Sequence, residues 1–160
     1  MFISVNETEQ FGYTDATIVK SKVGEDYIEL NVEALIVKSN NSQNSNYTDS
    51  YADIATIMIE DFKQLSFIKE GYKKYSANDE LLFEIPDEEV KDKSLKDFLL
   101  TQESLYLPSF NANQIDDCFE GIMEFELPAE MGEMSDTYEL KFEFSKVKIS
   151  WDKYLNRVQQ

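Results

Sequence analysis

Two stretches of the chain alternate apolar and polar residues with a period of two. In the first, Ile28, Leu30, Val32, Ala34 and Ile36 fall on one face of residues 27–37, and Glu29, Asn31 and Glu33 fall on the other. That pattern predicts a half-buried strand. The β-branched run 16–23 precedes it across Gly24-Glu25-Asp26, so the two segments predict a β-hairpin. In the second stretch, residues 121–151, Met123, Phe125 and Leu127 alternate with Glu124 and Glu126 up to Pro128. Tyr138, Leu140, Phe142 and Phe144 then alternate with Glu139, Lys141 and Glu143. These are two antiparallel strands, each with one wet face. Past Ser145 the apolar parity switches to Val147, Ile149 and Trp151, which calls for a bulge or a bend.

The intervening segments are less regular. Residues 39–46 are Ser, Asn and Gln without an apolar anchor and predict a mobile surface loop. Residues 51–65 superpose two patterns. Tyr51, Ile54, Ala55, Met58, Phe62 and Leu65 make a helical stripe over four turns, while the apolar run 54–59 also suits a buried strand; the longer stripe favours helix. Leu81-Leu82-Phe83-Glu84-Ile85 reads as a strand stopped by Pro86. Asp87-Glu88-Glu89-Val90 then opens a short helix to about Leu100, with Val90, Leu95, Phe98 and Leu99 inward. Trp151, Tyr154, Leu155 and Val158 have the spacing of one or two terminal helical turns. Phe83-Glu84-Ile85-Pro86, Phe125-Glu126-Leu127-Pro128 and Leu105-Tyr106-Leu107-Pro108 look alike; a duplicated module is one reading, and strands each terminated by proline is the one favoured. Together the segments predict one domain over residues 1–160, mainly β, an antiparallel β-sandwich with one or two short helices.

Composition narrows the function. Hydrophobic residues make up 42% of the chain, enough for a proper core. Against 15 Lys and Arg stand 32 Asp and Glu, giving a formal charge of −17 in which every third of the chain shares. The absence of His excludes His-based acid–base and nucleophile chemistry and imidazole zinc sites. One Cys excludes internal disulfides and thiolate clusters; flanked by Asp116, Asp117 and Glu120, Cys118 reads as a small core residue and not a nucleophile. Five dispersed glycines make no phosphate-cradling loop. The chain shows no signal peptide and no apolar run of membrane-spanning length. As written it is expected in the cytoplasm, or outside it if a leader has been removed.

Adjacent carboxylates are expected at this composition, so no catalytic pair is assigned, and no cofactor or metal. Asp116, Asp117 and Glu120 form the best calcium candidate, although they lack EF-hand spacing. The strand pattern places Glu29, Glu33, Glu124, Glu126, Glu139 and Glu143 on polar strand faces, where they predict a wall of carboxylates. Such a wall repels nucleic acid and anionic lipid and attracts a basic protein surface. The function expected is therefore a non-enzymatic binding domain: an intracellular inhibitor or immunity-type protein that masks a basic surface of a toxin, nuclease or nucleic-acid enzyme. A contact through exposed Tyr47, Tyr51 or Tyr106 would be the apolar alternative.

Gly121-Ile122-Met123-Glu124-Phe125-Glu126-Leu127-Pro128, followed by Tyr138-Glu139-Leu140-Lys141-Phe142, resembles the closing hairpin of bacterial immunoglobulin-like accessory domains, often carried on lipoproteins and other secreted proteins. The resemblance implies an immunoglobulin-like sandwich without catalytic apparatus, serving adhesion or protein contact as an extracytoplasmic module.

Overall fold

The alternating stretches become strands because period two buries one row of side chains and leaves the other wet. The computed structural model describes residues 1–91, 94–102, 104–128 and 135–157. It is mainly β, with antiparallel sheets and one α-helix, α1 (Leu95–Thr101). Ten strands form the main sheet: β1 (Phe2–Val5), β3 (Thr17–Val23), β4 (Tyr27–Glu33), β7 (Ala55–Glu60), β8 (Lys63–Lys69), β11 (Glu88–Glu89), β12 (Leu105–Ile115), β13 (Cys118–Leu127), β14 (Asp136–Phe144) and β15 (Lys146–Trp151). Their order is β1-β15-β7-β4-β3-β12-β13-β14-β8-β11, with every pair antiparallel.

Two long strands fold this sheet over. β7 runs into β8 at Asp61-Phe62, and β14 runs into β15 at Ser145, so that β7 pairs with β15 while β8 pairs with β14. Both bend at one corner. There the Ser145 N–H donates to the Glu60 carbonyl at 3.0 Å, its Oγ donates to the Asp61 carboxylate, and Phe62 packs on Phe142 with ring centroids 5.2 Å apart. The parity switch past Ser145 is this bend. At the other join, β3 meets β12 through the short register Ile18↔Leu105 and Thr17↔Tyr106, continued by the Leu107 N–H donating to the Ala16 carbonyl at 3.0 Å. The result is a sandwich of two five-stranded leaves, β1-β15-β7-β4-β3 and β12-β13-β14-β8-β11.

Leu30, Val32, Ile57, Ile59, Val147 and Ile149 from the first leaf and Phe110, Met123, Phe125, Leu140, Phe142 and Phe144 from the second belong to one buried cluster. Gly121 makes room for these rings, because a β-carbon there would lie 2.6 Å from Phe142 Cζ. Ser94 caps α1 by accepting from the Asp97 N–H at 3.2 Å. The helix seats Phe98 against Phe67, Tyr138 and Phe125 at centroid distances of 5.1, 4.6 and 6.1 Å.

A second sheet, β16-β6-β5-β2, joins β2 (Phe11–Gly12), β5 (Ile36–Val37), β6 (Ser50–Ala52) and β16 (Tyr154–Arg157). A third pairs only β9 (Tyr72–Tyr75) with β10 (Leu81–Ile85).

Several expectations are corrected. The strand over residues 27–37 breaks at Ala34, whose φ of 57° turns the chain into β5, so Leu35 and Val37 are both buried. Residues 51–65 are strands, not helix: Ala55, Ile57 and Ile59 are fully buried while Thr56, Met58 and Glu60 are half-buried, and that period of two overrides the longer stripe. The loop after Val37 is pinned rather than free. Asn41 is buried, and the Asn44 side-chain amide donates to the carbonyls of Val37, Lys38 and Thr48 at 3.0–3.1 Å. The helix expected from Asp87 begins only at Leu95, because Glu88-Glu89 pair antiparallel with Lys69 and Ile68 of β8 as the edge strand β11; Leu95, Phe98 and Leu99 are inward as expected, and Val90 is half-buried. The terminal helical turn is strand β16 paired with β6, and Val158 lies outside the described residues. Pro86 and Pro128 follow strands, but Pro108 sits inside β12 at a bulge between Tyr106 and Ser109. Cys118 is half-buried at the start of β13, where it pairs with Ile115 next to the hairpin turn, and is not a core residue.

Candidate functional site

The second leaf buries Phe67, Phe110, Met123, Phe125, Leu140 and Phe142, which turns the intervening residues outward. Across its five strands one outward row reads Ser109, Glu124, Glu139, Ile68, Glu89. Glu124 stands directly opposite Glu139, and Glu120 opposite Glu143. Like charges placed this way cost folding free energy. Glu126, opposite Thr137, extends the same face. Glu70 joins it from the end of β8, where its N–H donates to the Thr137 carbonyl at 2.8 Å.

One carboxylate oxygen from each of Glu70, Glu124 and Glu139 lies within 4.8 Å of the others, and all three side chains are half-buried. Partial burial, with Glu124, Glu139 and Asp87 nearby, raises the Glu70 carboxyl above the ordinary glutamate value. Lys141 approaches Glu139 at 3.8 Å, and Lys69 approaches Asp136 at 3.6 Å. What the arrangement can do is accept positive charge, since carboxylate oxygens this close favour any cation brought between them.

Glu124, Glu126, Glu139 and Glu143 are thus brought together on one leaf. Glu29 and Glu33 are not with them. They project from β4 in the other leaf, Glu29 between Lys22 and Met58 and Glu33 opposite Thr17, and the outer faces of the two leaves look in opposite directions. The six do not form one wall. Asp116 and Asp117 form the two-residue turn joining β12 to β13, with Asp116 at φ 51°. Among the described residues, Asp116, Asp117 and Glu120 form no three-carboxylate group of the kind that Glu70 forms with Glu124 and Glu139. Tyr47 and Tyr106 are exposed, whereas the Tyr51 hydroxyl donates to Asp15 at 2.7 Å.

Glu70 was missed because it lies in the least acidic stretch of the chain. Its signal is the period counted from Phe67: with residues 63–69 read as a strand, Ser66, Ile68 and Glu70 fall on the outer face. Among the described residues no helix is long and apolar enough to cross a membrane. No family model, curated protein or solved structure matches the chain.

Proposed function

We propose that this chain is a non-enzymatic acidic binding domain that covers a basic surface of a protein partner with the outer face of β12, β13, β14 and β8. The leading candidate is an inhibitor or immunity-type protein acting on a toxin, nuclease or nucleic-acid enzyme, whose phosphate-binding cations the carboxylates would meet. The observation that carries the reading is the pairing of Glu124 with Glu139 and of Glu120 with Glu143, with Glu70 drawn in beside them. A fold gains nothing from facing carboxylates, whereas a basic partner repays them. The net charge of −17 supports it, because a field of one sign steers an oppositely charged partner at long range.

The test is partner capture from the native host, run in parallel with wild type and with a Glu124→Lys, Glu126→Lys, Glu139→Lys variant, followed by association kinetics on the captured partner. The partner should be basic and absent from the variant's capture. Its on-rate should fall at least about tenfold between 0.1 M and 1 M salt, as the Debye length shrinks from about 10 to about 3 Å, and about tenfold on charge reversal. The thermal midpoint of the variant should not fall. Kinetics indifferent to salt would overturn the acidic-face reading and leave apolar contact, which is what an immunoglobulin-like adhesion module would use.

A further inference from the structure

The β9–β10 hairpin stands off the body as a separate two-stranded sheet, and every residue of both strands is exposed. Its apolar content is that of a core. Tyr72, Tyr75, Leu81, Leu82, Phe83 and Ile85 are 37–57% exposed. A lone hairpin is marginal in water, and a contiguous apolar surface on an acidic chain marks a contact.

The arm is held in a fixed pose at its foot. Asp87 accepts the Gly71 N–H at 2.6 Å, and a β-carbon on Gly71 would lie 2.0 Å from the Ile85 carbonyl oxygen, so only glycine fits there. At the tip, Ser76 and Glu80 close the turn through the Ser76 N–H to Glu80 carbonyl bond at 2.8 Å. One face carries Tyr72 opposite Ile85 and Lys74 opposite Phe83, with Tyr72 and Phe83 in ring contact at 5.9 Å and the Lys74 ammonium 5.8 Å from the Phe83 ring. That face is apolar with a single cation and no carboxylate, on a chain where acids outnumber bases two to one.

The complementary surface lies on the same chain. Beside the four-stranded sheet is a depression of about 470 Å³ whose floor and walls include Ala34, Tyr51, Ile54 and Leu155, with Glu33 and Asp53 beside them. Ile54 and Leu155 are each 56% exposed. It is apolar inside and acidic beside, where the face of the arm with Tyr72, Lys74, Phe83 and Ile85 is apolar with one lysine, Lys73 and Glu84 pairing on the opposite face. We propose that the arm of one copy docks into this depression on a second copy, Phe83 and Ile85 covering Ile54 and Leu155 while Lys74 meets Glu33 and Asp53. The contact is heterologous, so it builds either a reciprocal dimer or an open chain of copies. The depression shares no residue with the acidic face, although the foot of the arm follows Glu70 directly, and the proposal does not depend on that reading.

Sedimentation of the full chain over a range of concentrations, at physiological ionic strength, tests it. Wild type should associate with rising concentration. Phe83→Asp spoils the arm and Leu155→Asp spoils the depression; each alone should weaken association about thirtyfold or more, the loss expected at a central anchor. An equimolar mixture of the two variants should restore a 1:1 complex and nothing larger, since one intact arm then meets one intact depression. Phe83→Ser and Ile54→Ser are milder substitutions read the same way should either Asp variant fail to fold. A wild type that stays monomeric, variants that associate like wild type, or a mixture that stays monomeric would each overturn the proposal. Association lost in Phe83→Asp but kept in Leu155→Asp would mean that the arm meets another arm. Binding of a monomeric wild type to phosphatidylcholine vesicles, lost in Phe83→Asp, would assign the arm to a lipid surface instead.

Discussion

Glu7 and Glu70 are both half-buried glutamates, and their neighbours shift them in opposite directions. At Glu7 partial burial raises the carboxyl, but the Ser42 and Ser4 hydroxyls and the Ser42 N–H all donate to it and outweigh burial, so its value is lowered. At Glu70 burial acts with three nearby carboxylates, and its value is raised. The folded chain therefore keeps a proton on Glu70 that the unfolded chain has already lost, and stability falls as pH rises from the ordinary glutamate value through the raised one. The Glu7 contribution runs the other way, fully present above the ordinary value and lost as pH falls through the lowered one. Glu70→Gln should stabilise the fold at neutral pH by about 0.5 kcal/mol, within the range of a like-charge pair across strands. The gain should vanish in acid. Glu7→Gln should cost about 1 kcal/mol at neutral pH, with the deficit narrowing in acid. Urea denaturation at a series of pH values reads both; a Glu70→Gln variant less stable than wild type at neutral pH would mean that the carboxylate cluster does not strain the fold.

At the scale of elements, local pattern was legible where a segment keeps one face toward one core. The alternation of residues 121–127 and 138–144 became β13 and β14 with their apolar residues inward, because both strands sit in the middle of a leaf. Residues 51–65 misled because Tyr51, Ile54 and Leu65 do not share an environment with Ile57 and Ile59. They lie outside the core, on the second sheet, its rim and β8. No sequence period records a change of sheet. The loop at residues 39–46 differs from its pattern for another reason: its polar side chains are partners of the backbone and not of solvent. The Asn44 amide holds three carbonyls together, and Tyr154 closes the same loop by donating to the Gln43 carbonyl at 3.0 Å. Asn44→Ala leaves those carbonyls short of a donor and should destabilise the protein by about 1–2 kcal/mol, with Asn44→Asp no better because it restores no N–H. An urea midpoint equal to wild type would return the loop to a solvated surface segment.

For the whole molecule, the candidate site was legible in kind and not in place. Composition and strand parity gave an excess of outward carboxylates, but which of them meet depends on how the sheet folds. The bends at Asp61 and Ser145 put Glu29 and Glu33 on one leaf and Glu124, Glu126, Glu139 and Glu143 on the other. Those bends are themselves tertiary, set by the Phe62–Phe142 contact and the Ser145 hydrogen bonds across 84 and 85 residues of chain. The same charge sets a measurable physical property. A formal charge of −17 repels itself more when compact than when unfolded, and the ion pairs among the described residues are exposed or half-exposed contacts at 3.5–3.9 Å that contribute little in return. Sodium chloride should therefore stabilise the fold as the Debye length falls from about 30 Å at 0.01 M to about 8 Å at 0.15 M. Each 1 kcal/mol of repulsion relieved moves the midpoint by roughly 2–4 °C for a chain of this size. Calorimetry across that salt range should show the midpoint rising by several degrees, with most of the gain below 0.15 M. The Glu124→Lys, Glu126→Lys, Glu139→Lys variant, six charge units less negative, should start higher at low salt and respond less. A midpoint that falls with salt in wild type would mean that attractive pairs such as Lys69–Asp136 and Lys148–Glu60 outweigh the repulsion, and that facing carboxylates impose no folding cost for a partner to repay.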